Sequence, residues 1–203
     1  MSWINFFDAI YVINLRKRVD RLLEVTEELE KYNIPFQLIT AIENENGAEG
    51  LRQTVENIFK NSIEKKHEQI LIFEDDNYFL HDPNPIMEVA VKELPEYWHI
   101  LYLSGQASNG FNRRHSSSLL QLDTCYSTNA WAISNQGMKE ILAAELKAPI
   151  DNSVVDSVQK QQKSFITYPL LASQRAGVSD IGGTFIDWNS FIINKYNEKL
   201  SLL

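Results

Sequence analysis

The chain alternates short apolar runs with segments whose apolar residues recur at helical spacing, and this alternation constrains the fold most. Residues 9–15 (AIYVINL) form an almost continuous apolar run, which is typical of a strand buried on both faces of a sheet. Residues 22–32 then show helical spacing, and residues 34–42 (IPFQLITAI) favour an extended segment. The chain therefore begins with a predicted β-α-β unit.

The same alternation continues along the chain. Helices are predicted over residues 51–63, 83–94, 135–146 and 154–162, and strands over residues 69–73, 98–103, 119–122, 129–134 and 165–168. Ser134 is the expected N-cap of the third of these helices. Residues 104–118 (SGQASNGFNRRHSSS) show no periodicity and are interpreted as a mobile loop. The pattern predicts an α/β fold with a mostly parallel central sheet and helices on both faces.

Length and composition limit the classes of protein that the chain can belong to. Its 203 residues suit a single domain spanning 1–203, and no segment approaches the roughly 20 apolar residues that cross a bilayer. The start lacks a basic signal region, so a cytoplasmic protein is expected. A net charge of −8 argues against nucleic-acid partners. Residues 2–7 (SWINFF) suggest either core burial or, at most, peripheral membrane contact.

Three consecutive acids follow the apolar strand of residues 69–73. On an extended segment Glu74 and Asp76 face one way and Asp75 the other. In open α/β sheets ligands bind beyond the carboxyl ends of the strands, and carboxylates suit Mg²⁺ or Mn²⁺ whose remaining ligands come from substrate phosphates. The sequence thus predicts Glu74 and Asp76 as metal ligands. The alternative is that the acids end the strand in water, with Asp75 holding a backbone N–H or an arginine.

A basic segment, residues 14–21 (NLRKRVDR), follows the first strand. Arg18 and Arg21 are three apart at the start of a helix, and Asp20 can orient one of them. Such guanidinium groups suit a diphosphate, although a basic helix face is more often solvated surface. Neither a P-loop nor a GxGxxG fingerprint occurs, so any nucleotide is held in another way.

Two later segments also offer polar side chains. In PIDNSVVD, Asp151 or Asp156 could deprotonate an incoming hydroxyl, but Asp151 could equally cap the following helix. In residues 168–183 (YPLLASQRAGVSDIGG), Gln174, Ser179 and Asp180 either close over a ligand or are ordinary turn residues.

In their order along the chain these segments resemble glycosyltransferase family 25, the group of lipooligosaccharide and related collagen galactosyltransferases. Five segments carry the resemblance over residues 10–181: YVINLRKRVDR, ILIFEDDNYF, TNAWAISNQGMKEIL, PIDNSVVD and YPLLASQRAGVSDI. The resemblance implies a GT-A type fold and inverting transfer of a hexose, galactose or glucose, from a UDP-sugar. The acceptor is then a hydroxyl of a glycan or lipid-linked glycan, as in lipopolysaccharide biosynthesis.

The resemblance also implies roles for the residues already singled out. Glu74 and Asp76 would bind Mn²⁺ or Mg²⁺ at the donor diphosphate. Asp151 is the first choice for general base and Asp156 the second. The donor would be bound by Asn14, Arg18, Asp20, Arg21, Ala41, Gln174, Ser179 and Asp180.

The chain departs from the family pattern in two places. The family usually has a Ser-His or Thr-His pair before the acidic strand, whereas Thr54 is followed here by Val55. Residues 184–203 match no segment of the family that we can place. Two alternatives therefore stay open: a catalytically silent binding protein of the same fold, and a Mg²⁺-dependent phosphohydrolase.

Overall fold

The structure is a computed structural model that describes residues 2–203. Its strands are β1 (Ala9–Asn14), β2 (Gln37–Thr40), β3 (Gln69–Glu74), β4 (Asn77–Phe79), β5 (Ile100–Tyr102), β6 (Gln106–Arg114), β7 (Leu119–Tyr126), β8 (Ala130–Ser134), β9 (Ser164–Thr167), β10 (Ala172–Gln174), β11 (Gly177–Val178) and β12 (Phe185–Ile186). Its α-helices are α1 (Val19–Glu30), α2 (Gly47–Glu64), α3 (Pro83–Glu93), α4 (Asn135–Ala143), α5 (Ile150–Ser157) and α6 (Trp188–Leu200). Short 3₁₀ helices occupy Trp3–Phe6 and Gln159–Gln161.

Within residues 2–203 the central sheet has eight strands in the order β2-β1-β3-β8-β5-β9-β7-β6. β1 pairs in parallel with β2 and β3, and β5 pairs in parallel with β9. β8 is antiparallel to β3 and β5, and β7 is antiparallel to β9 and β6. Six strands of this described sheet therefore run in one direction and two oppose them, which confirms the predicted mostly parallel sheet.

Helices cover both faces of the sheet, as predicted. One core cluster joins α2, α4, α5 and α6 to the sheet through side chains such as Phe59, Ile141 and Tyr196. The other joins α1, α3 and the N-terminal 3₁₀ helix to the opposite face through side chains such as Leu29 and Met87. β1, β3 and β5 lie between the two layers, so both their faces are apolar.

Polar side chains fix where several helices begin. The Ser134 hydroxyl accepts a hydrogen bond from the Gly137 N–H at 3.2 Å, so the predicted cap of α4 is confirmed. Asn46 caps α2 by accepting from the Ala48 N–H at 3.1 Å. α2 therefore begins at Gly47, four residues before the start predicted from apolar spacing.

The prediction of a mobile loop over residues 104–118 is wrong. Residues 106–114 form β6, an edge strand paired with β7, with irregular register around Gly110, whose φ is +100°. The serines that follow are held by one carboxylate: Glu93 accepts from the hydroxyls of Ser116, Ser117 and Ser118 at 2.5–2.7 Å. Because an edge strand needs no continuous apolar run, its polar sequence concealed it.

The aromatic N-terminal segment lies in the core, which favours the plainer of its two interpretations. Trp3 is 1% exposed, and its indole N–H donates to Asn84 at 2.9 Å. None of the helices within residues 2–203 combines the length and apolar character required to cross a bilayer.

Replacing Glu93 with alanine should destabilise the protein by about 1–2 kcal/mol, because three serine hydroxyls lose a charged acceptor. Burial acts to raise the pKa of Glu93, but the serine hydrogen bonds outweigh it and lower this pKa to about 2. The stability that the carboxylate contributes is therefore present above its ordinary pKa of 4.5 and is lost as the pH falls toward 2.

Urea unfolding between pH 3 and pH 7 measures this contribution. The control is Glu96→Ala, which removes an exposed acid three residues further on. Equal stability of the Glu93→Ala and Glu96→Ala variants at pH 7 would contradict the role given to Glu93.

Candidate active site

A cavity of about 460 Å³ opens at the carboxyl ends of β1, β2 and β3. This volume lies in the range of small-molecule sites, and its place is where open α/β sheets bind ligands. Its floor includes Ile13, Leu15 and the three consecutive acids that begin at the last residue of β3, and its walls are residues 41–47 and residues 174–188. The walls meet where the chain at Gly47 packs against Asp180, since an added Cβ would lie 2.7 Å from the Asp180 carbonyl oxygen.

Glu74 and Asp76 both line this cavity, as the sequence predicts. Glu74 accepts a hydrogen bond from the Thr128 hydroxyl at 3.0 Å, and Asp76 lies 3.5 Å from the Gln174 amide nitrogen. Burial, followed by the charge of Asp76, raises the pKa of Glu74 to about 8. Burial also raises the pKa of Asp76. The two carboxylates therefore stand close together in a poorly solvated place.

Arg21 provides the nearest positive charge to these acids. Its guanidinium lies 3.1 Å from Asp75 and 3.5 Å from Asp76, and it donates to the Val178 carbonyl at 2.9 Å. Asp75 is thus the structural partner of an arginine, one of the two roles that the sequence left open for it. Burial and the charge of Asp76 nevertheless raise the pKa of Asp75 to about 6, because Arg21 offsets them only in part.

The carboxylate oxygens at this end of the cavity suit a divalent cation. Glu74 and Asp76 supply hard carboxylate oxygens, and burial raises the pKa of both, so a bound cation would favour their charged forms. In residues 2–203 no group of three or more His, Cys, Asp or Glu side chains converges as a complete metal site. Two carboxylates with phosphate oxygens completing the shell are the arrangement that Mg²⁺ commonly uses.

The basic segment is joined to the far wall by a group of ion pairs. Arg18 contacts Asp20 at 2.8 Å and Asp180 at 2.5 Å, and Lys17 contacts Asp180 at 3.3 Å. Lys17, Arg21 and Asp180 line the cavity, whereas Arg18 lies behind Asp180 and the Asp20 side chain is 63% exposed. The structure therefore brings Arg21 to the cavity and makes Arg18 a support for the wall.

Three further candidates for donor binding lie at or beside the cavity. Ala41 lines it, with its N–H donating to the Asn14 carbonyl at 2.9 Å. Asn14 is buried at the end of β1, and its side-chain oxygen has no hydrogen-bond partner within residues 2–203. Ser179 lines the cavity and its hydroxyl accepts from the Ile181 N–H at 3.2 Å, which is also a turn contact.

Asp151 lies beside the carboxylates but outside the cavity lining. It accepts from the Ser127 N–H at 2.9 Å, and its charge contributes to the raised pKa of Glu74. It does not cap α5, whose N-cap is Pro149. Ser127 has a positive φ of +77°, and its hydroxyl oxygen lies 3.5 Å from the amide oxygen of Gln174. Ser127 thus stands one contact behind Gln174, which itself contacts Asp76, and Asp151 stands one contact further back.

The structure does not bring Asp156 to the site. Its side chain is 61% exposed and bonds to Lys160 at 2.9 Å, one turn further along the chain. This second choice for a general base is therefore corrected: Asp156 forms a surface ion pair.

Several cavity residues were not identified from the sequence. Glu43, Asn44 and Glu45 form one wall, and Trp188 belongs to the other, in the segment that matched nothing. Thr54, the residue that lacks the expected histidine neighbour, is buried. Its hydroxyl donates to the Gly50 carbonyl at 2.7 Å and accepts from the Ile42 N–H at 2.9 Å, so it fixes the wall formed by residues 41–47.

Replacing Glu74 with glutamine should stabilise the ligand-free protein at pH 8 by about 1–3 kcal/mol, since it removes a poorly solvated carboxylate. Because the pKa of Glu74 is raised from 4.5 to about 8, the native protein should lose stability as the pH rises between these values. The variant should lack this part of the pH dependence.

Thermal unfolding at pH 5 and pH 8 in the presence of EDTA compares the two proteins. Glu68→Gln, at an exposed position just before β3, serves as the control. A Glu74→Gln variant less stable than the native protein at pH 8 would contradict this description of the cluster.

Comparison with solved structures shows the fold. A197 from STIV superimposes with a TM-score of 0.52 at 10% identity, covering 89% of this chain and 93% of that chain. A glycosyltransferase involved in the glycosylation of the major capsid of PBCV-1 superimposes with a TM-score of 0.52 at 14% identity, covering 84% and 93%. The chain therefore has a mixed α/β fold that is also found in a glycosyltransferase.

Comparison of the sequence with family models gives a match to the first third of the chain. Curated protein sequences gave no significant match. Residues 7–68 match the model of glycosyltransferase family 25 (LPS biosynthesis protein). These residues include β1, α1, β2 and α2, and hence Arg21 and the wall formed by residues 41–47. Over residues 7–68 the match confirms the resemblance to glycosyltransferase family 25 that the sequence predicts.

Proposed function

We propose that the protein is an inverting, metal-assisted glycosyltransferase of GT-A type. It transfers a hexose, galactose or glucose, from a UDP-sugar to a hydroxyl of a glycan or lipid-linked glycan. The family match supports the reaction class, and the site chemistry supports the donor and the metal. A cytoplasmic protein without nucleic-acid partners and with at most peripheral membrane contact agrees with this function.

The charge of the cavity is the observation that carries the proposal. Within the described residues its lining holds the six acids Glu43, Glu45, Glu74, Asp75, Asp76 and Asp180, against the three basic residues Lys17, Arg21 and Arg175. A nucleoside diphosphate is itself anionic, so this lining repels it unless a cation is also bound. The need for a bound cation and the convergence of Glu74 with Asp76 thus point to the same site.

Mn²⁺ or Mg²⁺ would be held by Glu74 and Asp76, where it would neutralise charge on the donor diphosphate and on the departing UDP. Arg21 and Lys17 supply fixed positive charge to the same phosphates. The buried Asn14 and the wall at Ala41 are proposed to hold the nucleoside end. Gln174, Ser179 and Asp180 close the opposite wall, with Arg18 and Asp20 supporting it.

Asp151 is the proposed general base. Inverting transfer requires a base on the face of the sugar opposite the departing diphosphate, and it proceeds through an oxocarbenium-like transition state. The hydrogen bond from the Ser127 N–H orients the Asp151 carboxylate. This contact engages one carboxylate oxygen, and the other is proposed to take the proton of the acceptor hydroxyl.

No observation favours the phosphohydrolase alternative. Its common acidic signatures place an aspartate at the end of the first strand, and here β1 ends at Asn14. A catalytically silent protein of this fold would bind the donor but would not transfer the sugar. The experiments below therefore measure donor binding and sugar transfer separately.

Replacing Asp76 with asparagine should abolish manganese-dependent donor binding without unfolding the protein, because Asp76 lines the cavity and lies outside the apolar core. In thermal melts, UDP-galactose or UDP-glucose with Mn²⁺ at about 100 times its dissociation constant stabilises the native protein by roughly 2.7 kcal/mol. The Asp76→Asn variant should show no such shift.

The control for this variant is Asp123→Asn, which changes an exposed aspartate of β7. An unchanged manganese-dependent shift in the Asp76→Asn variant would show that Asp76 is not a metal ligand.

Replacing Asp151 with asparagine should leave the UDP-sugar melting shift intact and lower transfer by at least 100-fold, since it removes only the base. Release of UDP in the presence of acceptor measures turnover. Asp156→Asn, on the same helix, is the matched control and should retain full activity. Loss of donor binding equal to the loss of transfer would make Asp151 a binding residue instead.

A further inference from the structure

Trp188 differs from the other tryptophans of the chain in its exposure. Trp3, Trp98 and Trp131 are 1%, 7% and 0% exposed, whereas Trp188 is 40% exposed and lines the cavity. Exposing an indole to water forgoes the favourable burial of a large apolar surface. An uncovered indole on a cavity wall is therefore a candidate surface for a ligand.

The indole is held in place by its neighbours. The Phe191 ring packs edge-on against it, with centroids 5.8 Å apart and an interplanar angle of 68°. Asp187 caps α6 through the Ser190 N–H at 3.2 Å and the Ser190 hydroxyl at 2.9 Å. The helix is anchored further along by the buried Tyr196, whose hydroxyl donates to the Thr167 carbonyl at 2.9 Å. These contacts fix the start of α6, and Phe191 supports one side of the Trp188 indole.

The start of α6 is also tied to the chain that carries the carboxylates. The Tyr78 hydroxyl donates to Asn189 at 2.5 Å, and Tyr78 follows Asp76 by two residues on β4. β4 pairs with β10 so that Asn77 lies opposite Gln174. Trp188 therefore belongs to the cavity wall that contains Gln174, which is the wall nearer to Asp151.

The groups around Trp188 suit a neutral sugar. A pyranose has a C–H face, whose partial positive charge is attracted to an aromatic ring, and hydroxyl groups around its edge. Carboxylates only accept hydrogen bonds, so the acid-rich lining suits hydroxyl donors. An anionic or purely apolar ligand would match one of these features at most.

We propose that Trp188 is the platform on which the pyranose ring of the acceptor sugar stacks. This inference rests on the proposed function and specifies its acceptor: a neutral, pyranose-containing glycan whose terminal ring presents its C–H face to the indole. The stacked ring would place one hydroxyl toward the Gln174 and Asp151 side of the cavity.

Saturation-transfer NMR tests the platform with methyl β-D-galactopyranoside, methyl β-D-glucopyranoside and lactose, each with UDP and Mg²⁺ present. The native protein should transfer saturation to ring C–H protons of at least one of these sugars. Trp188→Ala should reduce the transfer at least fivefold, and Trp188→Phe should retain an intermediate signal. Phe185→Ala removes a 70% exposed aromatic that lies outside the cavity lining, so it should have no effect.

Three results would overturn the inference. The first is the absence of saturation transfer from the native protein to any of the three sugars. The second is an equal loss in Trp188→Ala and Phe185→Ala, which would indicate general apolar adhesion. The third is a reduced UDP melting shift with Mg²⁺ in Trp188→Ala, which would place the indole against the donor.

The same melts keep this inference separate from the proposed function. A UDP shift in the native protein without sugar binding contradicts the platform alone. A native protein that shows no nucleotide shift contradicts the proposed function itself, whichever sugars it binds.

Discussion

The guanidinium of Arg21 holds together the parts of the chain that form the site. It contacts Asp75 and Asp76 after β3 and the carbonyl of Val178 in β11, while its own backbone lies in α1. Burial, followed by the charge of Asp76, nevertheless raises the pKa of Glu74 to about 8. These contacts hold the side chains of the site in place, but acidic residues still outnumber basic ones there. A bound cation would offset this excess of negative charge.

Much of the fold could be predicted because buried strands between helices leave a continuous apolar pattern. β1, β3 and β5 were identified in this way, and α1 to α4 followed from helical spacing. β6 was missed because an edge strand with polar side chains carries no such pattern. The insertion of the antiparallel β8 between β3 and β5 depends on contacts between distant segments, which periodicity does not report.

Site residues could be predicted where they lie within a recognisable local sequence pattern. Acids at the end of a buried strand predicted Glu74 and Asp76, and the structure places both at the cavity. Asp151 and Asp156 are five residues apart, and five helical residues turn the chain by about 140° beyond one full turn, so only one of them can face the site. Trp188 could not be identified because its segment matched no pattern, and its exposure depends on how α6 packs against the rest of the chain.

The acidic cavity is proposed to bind a nucleoside diphosphate together with a divalent cation. Isothermal titration calorimetry of the native protein with UDP, in Mn²⁺ and then in EDTA, tests it most directly. We predict saturable binding near one UDP per chain in Mn²⁺ and at least 100-fold weaker binding in EDTA. Equal affinity in the two buffers, or no binding in either, would contradict the account.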